Sequence, residues 1–185
     1  METKSKIITA LFKLAIRSPK KQHFTITEIA KEANLTRQAI YRKHFSSADE
    51  IIEYIHDIIK SDVAFSINFH KENDKDQTLF SILSNALLPT LYEHRDWIKL
   101  LHKTSVDDSW TYFFEKTYQD FFIPYIGKDI KTLGISKEIA ATLLIRYIIA
   151  IVSVWLSQEY PEPPQVFEST FKKLMSDASQ SLVSN

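Results

Sequence analysis

Apolar side chains recur at helical spacing along most of the 185-residue chain. Residues three and four apart lie on the same face of a helix, so this period indicates helices with one buried side. The segments that follow it are 4–17, 26–33, 37–44, 47–69, 78–92, 95–104, 107–126, 136–158 and 165–182. Pro89 and Pro124 should kink or end their helices, because proline lacks an amide hydrogen. The pattern therefore predicts an all-α chain.

The second and third predicted helices are short, and local signals mark their ends. Thr25 and Glu28 have the spacing of a capping box, in which each side chain accepts a hydrogen bond from the other residue's amide. Asn34 tolerates the left-handed conformation of a tight turn, and Thr36 can cap the next helix. Ala30 lies where the two helices would approach most closely. This order predicts a helix-turn-helix, which places its second helix in the major groove of DNA.

The second helix of this pair would present polar and basic side chains to DNA. Arginine reads guanine edges and glutamine reads adenine edges, whereas contacts to phosphates fix the position of the protein. The candidate DNA-binding residues are Thr25, Thr36, Arg37, Gln38, Ala39, Tyr41, Arg42 and Lys43. The alternative is a helical hairpin that binds nothing.

The distribution of charge favours the DNA-binding interpretation. The whole chain carries 23 basic and 23 acidic side chains, so its formal net charge is zero. Residues 1–50 hold ten basic and five acidic groups, a net charge of +5, and residues 51–185 therefore carry −5. A basic segment of this kind indicates a negatively charged partner at one end of the chain.

Cysteine and histidine usage excludes several other classes of protein. The chain has no cysteine, so disulfides, thiolate zinc sites and cysteine nucleophiles are excluded. Its six histidines lack the spacing of metal ligands, and no phosphate-binding loop or nucleophile motif occurs. The sequence therefore predicts no catalytic residues, no metal, no cofactor and no enzymatic activity.

Over about residues 5–60 the chain resembles the tetracycline-repressor (TetR) family of bacterial transcription regulators. The matching positions are Thr25, Ile29, Ala30, Ile40, Tyr41, Phe45 and the run 47–51, where Ser47 and Glu50 have the spacing of a second capping box. Two departures are Asn34 in place of the usual turn glycine and one additional residue between Tyr41 and Phe45.

This resemblance implies a fold and a function. The fold would be all-α, with a three-helix helix-turn-helix DNA-binding domain over 1–50. A helical effector-binding and dimerisation domain would follow over 51–185, and a long helix over about 47–69 would connect the two. The function would be that of a cytoplasmic, homodimeric, DNA-binding repressor that a small-molecule effector releases from its operator. The alternative is a coactivator or protein-interaction module of the same fold that lacks DNA binding.

The body of the chain has an aromatic-rich segment over 107–126. In the TetR family the middle helices enclose an effector, and such a pocket would be mostly apolar with a few polar groups. The candidate pocket residues are His102, Trp110, Phe114, Tyr118, Phe121 and Tyr147. An aromatic stripe that forms plain core is the alternative.

The last two predicted helices are the candidate dimer interface. Residues 139–156 are apolar almost all round, which is typical of a helix in a core or an interface. A membrane span is disfavoured, because Arg146 lies near its middle and would need an acidic partner or an exit to solvent. The candidate interface residues are Ile145, Ile149, Val152, Trp155, Phe167, Phe171 and Leu174.

Overall fold

The structure, a computed structural model, describes residues 2–73, 78–127 and 134–179. The regular elements in these ranges are helices, which confirms the all-α prediction. They are α1 (Glu2–Arg17), α2 (Ile26–Ala33), α3 (Arg37–Lys43), α4 (Ala48–Asn73), α5 (Leu79–Ile82), a π-helical turn (Leu83–Leu87), α6 (Leu88–Glu93), α7 (Arg95–Lys103), α8 (Trp110–Phe122), a 3₁₀ turn (Ile123–Tyr125), α9 (Lys137–Leu156) and α10 (Pro164–Ser179). The predicted end of the last helix at Leu182 lies outside the described residues.

The two prolines act differently on their helices. Pro89 cannot donate to the carbonyl of Asn85, and its ring crowds that carbonyl. The helix widens into the π-helical turn just before Pro89 and then continues as α6. The Thr90 hydroxyl donates to the carbonyl of Ala86 at 2.7 Å. Pro124 instead lies in the 3₁₀ turn that ends α8, so one proline distorts a helix and the other ends one.

The chain folds into two compact units. Unit 1 contains residues 1–58 and 96–108, and unit 2 contains residues 59–95 and 109–185. Helix α4 therefore contributes its first part to unit 1 and its second part to unit 2. The assignment of DNA binding to 1–50 and of effector binding and dimerisation to 51–185 stays a prediction.

Unit 1 has an apolar core with one buried polar pair. The side chains of Leu11, Ile29 and Ile40 are completely buried, one from each of the first three helices. His56 Nε2 lies 2.7 Å from Asp107 Oδ2, and both side chains are buried. This pair joins α4 to the segment that follows α7, and it explains how residues far apart in sequence form one unit.

Unit 2 is organised around Trp155 on α9. Its ring stacks on Phe167 with ring centroids 4.3 Å apart, and its Nε1 donates to the carbonyl of Glu162 at 3.0 Å. Tyr92 lies on Trp155 as well, with a centroid separation of 5.7 Å. These contacts hold α6, α9 and α10 together within the unit.

Helix α9 is apolar and mostly enclosed. In the described part of the chain it is the one helix long and apolar enough to cross a bilayer, with a mean hydropathy of 2.2. Within that apolar stretch, 56% is buried inside the protein, as in a core helix. Arg146 reaches solvent and its Nε lies 2.5 Å from Glu115 Oε1, so the charge has both an acidic partner and an exit.

Candidate nucleic-acid interface

The start of α2 is a capping box, as the sequence predicts. Thr25 Oγ1 accepts from the Glu28 amide at 3.2 Å, and Glu28 Oε2 accepts from the Thr25 amide at 2.8 Å. Lys21 Nζ lies 2.5 Å from the other carboxylate oxygen. The Lys21 ammonium, together with the hydrogen bonds from Thr25, lowers the pKa of Glu28 to about 2. The beginning of the helix-turn-helix is therefore fixed at a defined residue.

The turn between α2 and α3 has left-handed geometry at Asn34. Its φ and ψ angles are 54° and 46°, a conformation that asparagine tolerates better than most residues. The Leu35 amide donates to the carbonyl of Ala30 at 2.9 Å, which closes the end of α2. Ala30 is buried, as the predicted close packing of the two helices requires.

Helix α3 is held by its cap and by one buried residue. Thr36 Oγ1 accepts from the Ala39 amide at 3.0 Å, and Ile40 is completely buried. The other side chains of the helix are exposed, including Tyr41 at 57%. They are Arg37, Gln38, Ala39, Tyr41, Arg42 and Lys43, and the capping residues Thr25 and Thr36 are exposed as well. All eight predicted DNA-binding residues therefore lie at the surface.

The additional residue before Phe45 is accommodated at the end of α3. The amides of His44 and Phe45 both donate to the carbonyl of Ile40, at 2.9 and 3.1 Å. Phe45 is buried, and its ring centroid lies 5.5 Å from that of Tyr54. The helix end takes up the extra residue, so Phe45 reaches the core while Lys43 stays exposed.

The predicted second capping box is only half formed. Ser47 Oγ accepts from the Glu50 amide at 3.0 Å, as expected. The Glu50 carboxylate, however, accepts from the amide and hydroxyl of Ser46, at 2.5 and 2.6 Å, and not from the Ser47 amide. These hydrogen bonds lower the pKa of Glu50. The carboxylate therefore fixes the residue before the cap.

The basic side chains of α3 are not engaged in ion pairs with other described residues. Among the residues that the structure describes, Arg37, Arg42 and Lys43 form no ion pair. Two acidic residues of α2 are already neutralised by basic residues outside α3, Glu28 by Lys21 and Glu32 by Arg17. The exposed face of α3 therefore carries positive charges that no ion pair among the described residues neutralises.

A groove of about 460 Å³ runs beside this helix. Arg37 and Tyr41 line one part of it, and the segments 23–27 and 46–49 line the rest. The sequence did not single out His23 or Ser46. Both residues lie close in sequence to capping residues, which could have marked them as candidates. Only the fold places them in the same groove as Arg37.

The predicted effector-pocket residues have mixed surroundings. Trp110, Phe114 and Tyr118 are buried in unit 2, with ring centroids of successive pairs 4.5 and 5.5 Å apart. Phe121 and Tyr147 are partly buried, and the Tyr147 hydroxyl donates to the carbonyl of Leu174 at 2.9 Å. His102 is exposed and belongs to unit 1. The pocket itself stays a prediction.

The predicted dimer-interface residues mostly lie inside the subunit. Five are buried within unit 2, namely Ile145, Val152, Trp155, Phe167 and Phe171. Ile149 is partly exposed and Leu174 is 42% exposed. The exposed large apolar side chains of the same two helices are Ile139, Leu143, Val154, Val166 and Leu174. Only Leu174 is common to the two sets, and the dimer interface stays a prediction.

Comparisons with known proteins identify the fold. No protein-family model matches the sequence, and no curated protein is significantly similar to it. Among solved structures, NalD, the secondary repressor of the MexAB-OprM multidrug efflux pump of Pseudomonas aeruginosa, is 16% identical with a TM-score of 0.65. That similarity covers 100% of this chain and 98% of NalD.

Two further structures have the same architecture. The dihydroxyacetone kinase operon activator DhaS is 18% identical, with a TM-score of 0.53 over 98% of each chain. The TetR family repressor AlkX of Dietzia sp. strain DQ12-45-1b is 16% identical, with a TM-score of 0.50 over 98% of this chain and 97% of AlkX. At these identities the likeness establishes the fold, so the chain has the fold of the TetR-type transcription regulators.

Proposed function

We propose that this protein is a homodimeric transcription regulator that binds operator DNA through α2 and α3. The observation that carries the proposal is the exposed face of α3, where Arg37, Arg42 and Lys43 lack acidic partners among the described residues. An arginine presents a planar pair of donors to guanine, and glutamine can pair with adenine. We assign base contacts to Arg37, Gln38 and Arg42, with Ala39 leaving room for close approach.

The residues around α3 suit contacts to the DNA backbone. The exposed Tyr41 hydroxyl and the Lys43 ammonium can donate to phosphate oxygens. Thr25 and Thr36 lie at the starts of α2 and α3, and we assign both to contacts with DNA phosphates. Contacts to phosphates fix the position of the protein along the duplex, and contacts to bases give it a preference for one DNA sequence.

The experiment that tests this proposal compares two substitutions that each remove one positive charge. Arg42→Ala should weaken binding to a selected DNA duplex by about 5- to 150-fold, because a base-edge arginine contributes about 1–3 kcal/mol. Lys60→Ala, an exposed position on α4, is the matched control and should leave affinity near wild type. Fluorescence anisotropy with labelled duplexes measures both.

The salt dependence of the same binding gives an independent readout. Lysine and arginine displace counterions from DNA, so affinity should fall steeply as salt rises. Equal effects of Arg42→Ala and Lys60→Ala would contradict the assignment of α3. Affinity that does not change with salt, or no binding to any selected duplex, would refute the proposed function.

Repression and release by an effector form the second part of the proposal. NalD and AlkX are named as repressors, and their fold is the one found here. In unit 2, the Tyr118 hydroxyl is buried and has no hydrogen-bond partner among the described residues. A hydroxyl in this state is available to an effector that carries an acceptor group. An effector releases DNA only if it binds one conformation of the protein better than the other.

Homodimerisation is the third part. On α9 the exposed apolar residues Ile139, Leu143 and Val154 follow helical spacing along one face. Val166 and Leu174 form a comparable exposed stripe on α10. A two-fold dimer through these stripes would present two copies of α3, and successive major grooves lie about 34–36 Å apart on one face of a duplex.

Cytoplasmic localisation and the lack of an enzymatic activity complete the proposal. Operator DNA in bacteria lies in the cytoplasm, where a regulator of this kind would act. The described residues contain no group of three or more His, Cys, Asp or Glu side chains arranged for a metal ion. We propose ligand binding and DNA binding as the activities to be measured.

A further inference from the structure

We infer that a polar cleft in unit 2, here called the α10 cleft, binds a small primary ammonium ion. The cleft has a volume of about 320 Å³. Its lining includes His70, Ser84, Asn85, Pro89, Pro164 and Glu168. None of these residues belongs to the candidate effector pocket or to α3, and the inference does not depend on DNA binding.

His70 presents a hydrogen-bond acceptor. Its Nδ1 lies 2.8 Å from the carbonyl oxygen of Ser66. A carbonyl oxygen can only accept, so Nδ1 carries the proton of the neutral ring. The other nitrogen, Nε2, then carries the lone pair. The backbone of α4 therefore fixes the tautomer that accepts a hydrogen bond.

Asn85 and Glu168 supply two more acceptors. The Asn85 side-chain nitrogen donates to Ser81 Oγ at 3.2 Å, so its carbonyl oxygen is the group left for another partner. Glu168 Oε1 lies 2.5 Å from Lys172 Nζ, one turn along α10. This pair shows that the carboxylate accepts an ammonium group, and its second oxygen has no partner among the described residues.

Ser84 marks the cleft as an unusual part of the helix. It lies in the π-helical turn Leu83–Leu87, and such turns are frequent at functional sites. Ser84 is 6% exposed, and its hydroxyl has no hydrogen-bond partner among the described residues. A buried hydroxyl without a partner is a rare feature that calls for a reason.

The chemistry of the lining selects the ligand. A primary ammonium has three donors and no acceptor, and the cleft offers three acceptors in His70, Asn85 and Glu168. The Glu168 carboxylate supplies a negative charge, which strengthens a hydrogen bond from a cation. Pro89 and Pro164 give the cleft apolar walls that suit a short carbon chain. A carboxylate or phosphate of the same size would meet the like charge of Glu168, and the Gln165 side-chain amide is the donor that the lining offers it.

The test is a titration of the full chain with n-butylammonium chloride at constant ionic strength, at about pH 8, where alkylamines are protonated. The NMR signals of the His70 imidazole report binding, and His70→Asn identifies them. We expect saturable shifts with a dissociation constant of roughly millimolar or tighter, given the size of the probe. n-Butyrate and n-butanol, which keep the chain but change the head group, should give no saturable shift.

Three variants locate the site. Glu168→Gln should weaken butylammonium binding by about tenfold or more, since it removes a charged acceptor. Glu159→Gln removes the same charge from an exposed position outside the cleft and should change nothing. Lys172→Ala removes the competing ammonium and should strengthen binding roughly threefold. A gain of affinity cannot arise from damage to the fold.

Several results would overturn the inference. Shifts that do not saturate, or that n-butanol reproduces, would show that the head group is not recognised. Equal weakening by Glu168→Gln and Glu159→Gln would indicate a general effect of charge. Unchanged affinity in both Glu168→Gln and Lys172→Ala would exclude the carboxylate as the ammonium site. These outcomes are measured without DNA, so they leave the proposed regulatory function to its own test.

Discussion

Two tyrosine hydroxyls in unit 2 have opposite surroundings. The Tyr147 hydroxyl donates to the carbonyl of Leu174 at 2.9 Å, whereas the Tyr118 hydroxyl is buried with no partner among the described residues. Burial raises the pKa of Tyr118, so its hydroxyl stays protonated and keeps its donor. The same substitution, tyrosine to phenylalanine, therefore removes a hydrogen bond at Tyr147 and none at Tyr118.

Removing each hydroxyl should affect stability in different ways. Tyr147→Phe should lower the free energy of unfolding by about 0.5–1.5 kcal/mol, the usual contribution of a hydrogen bond. Tyr118→Phe should leave it unchanged or raise it by up to about 1 kcal/mol, because the lost hydroxyl makes no bond. Urea denaturation measures both variants. A loss in Tyr118→Phe as large as that in Tyr147→Phe would show that Tyr118 has a partner.

At the scale of a single helix, the capping box of α2 gives a dependence of stability on pH. The ordinary pKa of Glu28 is 4.5, and in the folded protein it falls to about 2. A lowered pKa means that the ionised carboxylate stabilises the fold. This contribution is complete above about pH 4.5 and is lost as the pH falls through about 2.

Glu28→Gln should remove this contribution. Because the Glu28 side chain is 39% exposed, solvent screens its pair with Lys21, and we expect a loss of about 1 kcal/mol at neutral pH. The difference between wild type and variant should shrink between about pH 5 and 2, as measured by urea unfolding at each pH. Glu53→Gln, an exposed change on α4, is the control. A difference that stays constant with pH would refute the assigned pairing.

The helices themselves were largely predictable from local sequence. Thr25, Asn34 and Thr36 act over three or four residues, so their roles in α2 and α3 follow from sequence neighbours alone. Glu50 was less predictable, because its carboxylate can accept from the amide of either Ser46 or Ser47. Which of these two neighbours it binds depends on side-chain geometry, which the sequence does not give. The π-helical turn before Pro89 was also only partly predictable, since a proline indicates that the helix is distorted but not which distortion occurs.

For the whole molecule, the exposed apolar stripe on α9 allows the proposed dimer to be tested. Leu143 is 48% exposed, and Leu143→Glu would place a charge where a second copy should pack. The dissociation constant of the dimer should rise by about tenfold or more, because an unpaired buried charge is costly. Sedimentation velocity over a range of concentrations measures it.

A second exposed residue controls for the added charge. Phe65 is 74% exposed and lies on α4, outside the proposed interface. Phe65→Glu should leave the dimer intact, and both variants should keep wild-type helicity by circular dichroism. A dimer that survives Leu143→Glu but dissociates in Phe65→Glu would place the interface elsewhere.

The sequence alone determined the elements of this protein and the surface that α3 exposes. The helical period, the helix caps and the left-handed turn at Asn34 depend on residues that are neighbours in sequence. The charge of residues 1–50 can be counted from the sequence directly. Only the tertiary structure decided which apolar side chains are enclosed. A helix that is apolar all round gives no periodic signal of its buried side, so Trp155 and Leu143 look alike in sequence. Residues 96–108 joined unit 1 for a related reason, because the contact between His56 and Asp107 spans 51 positions and leaves no trace in either local segment.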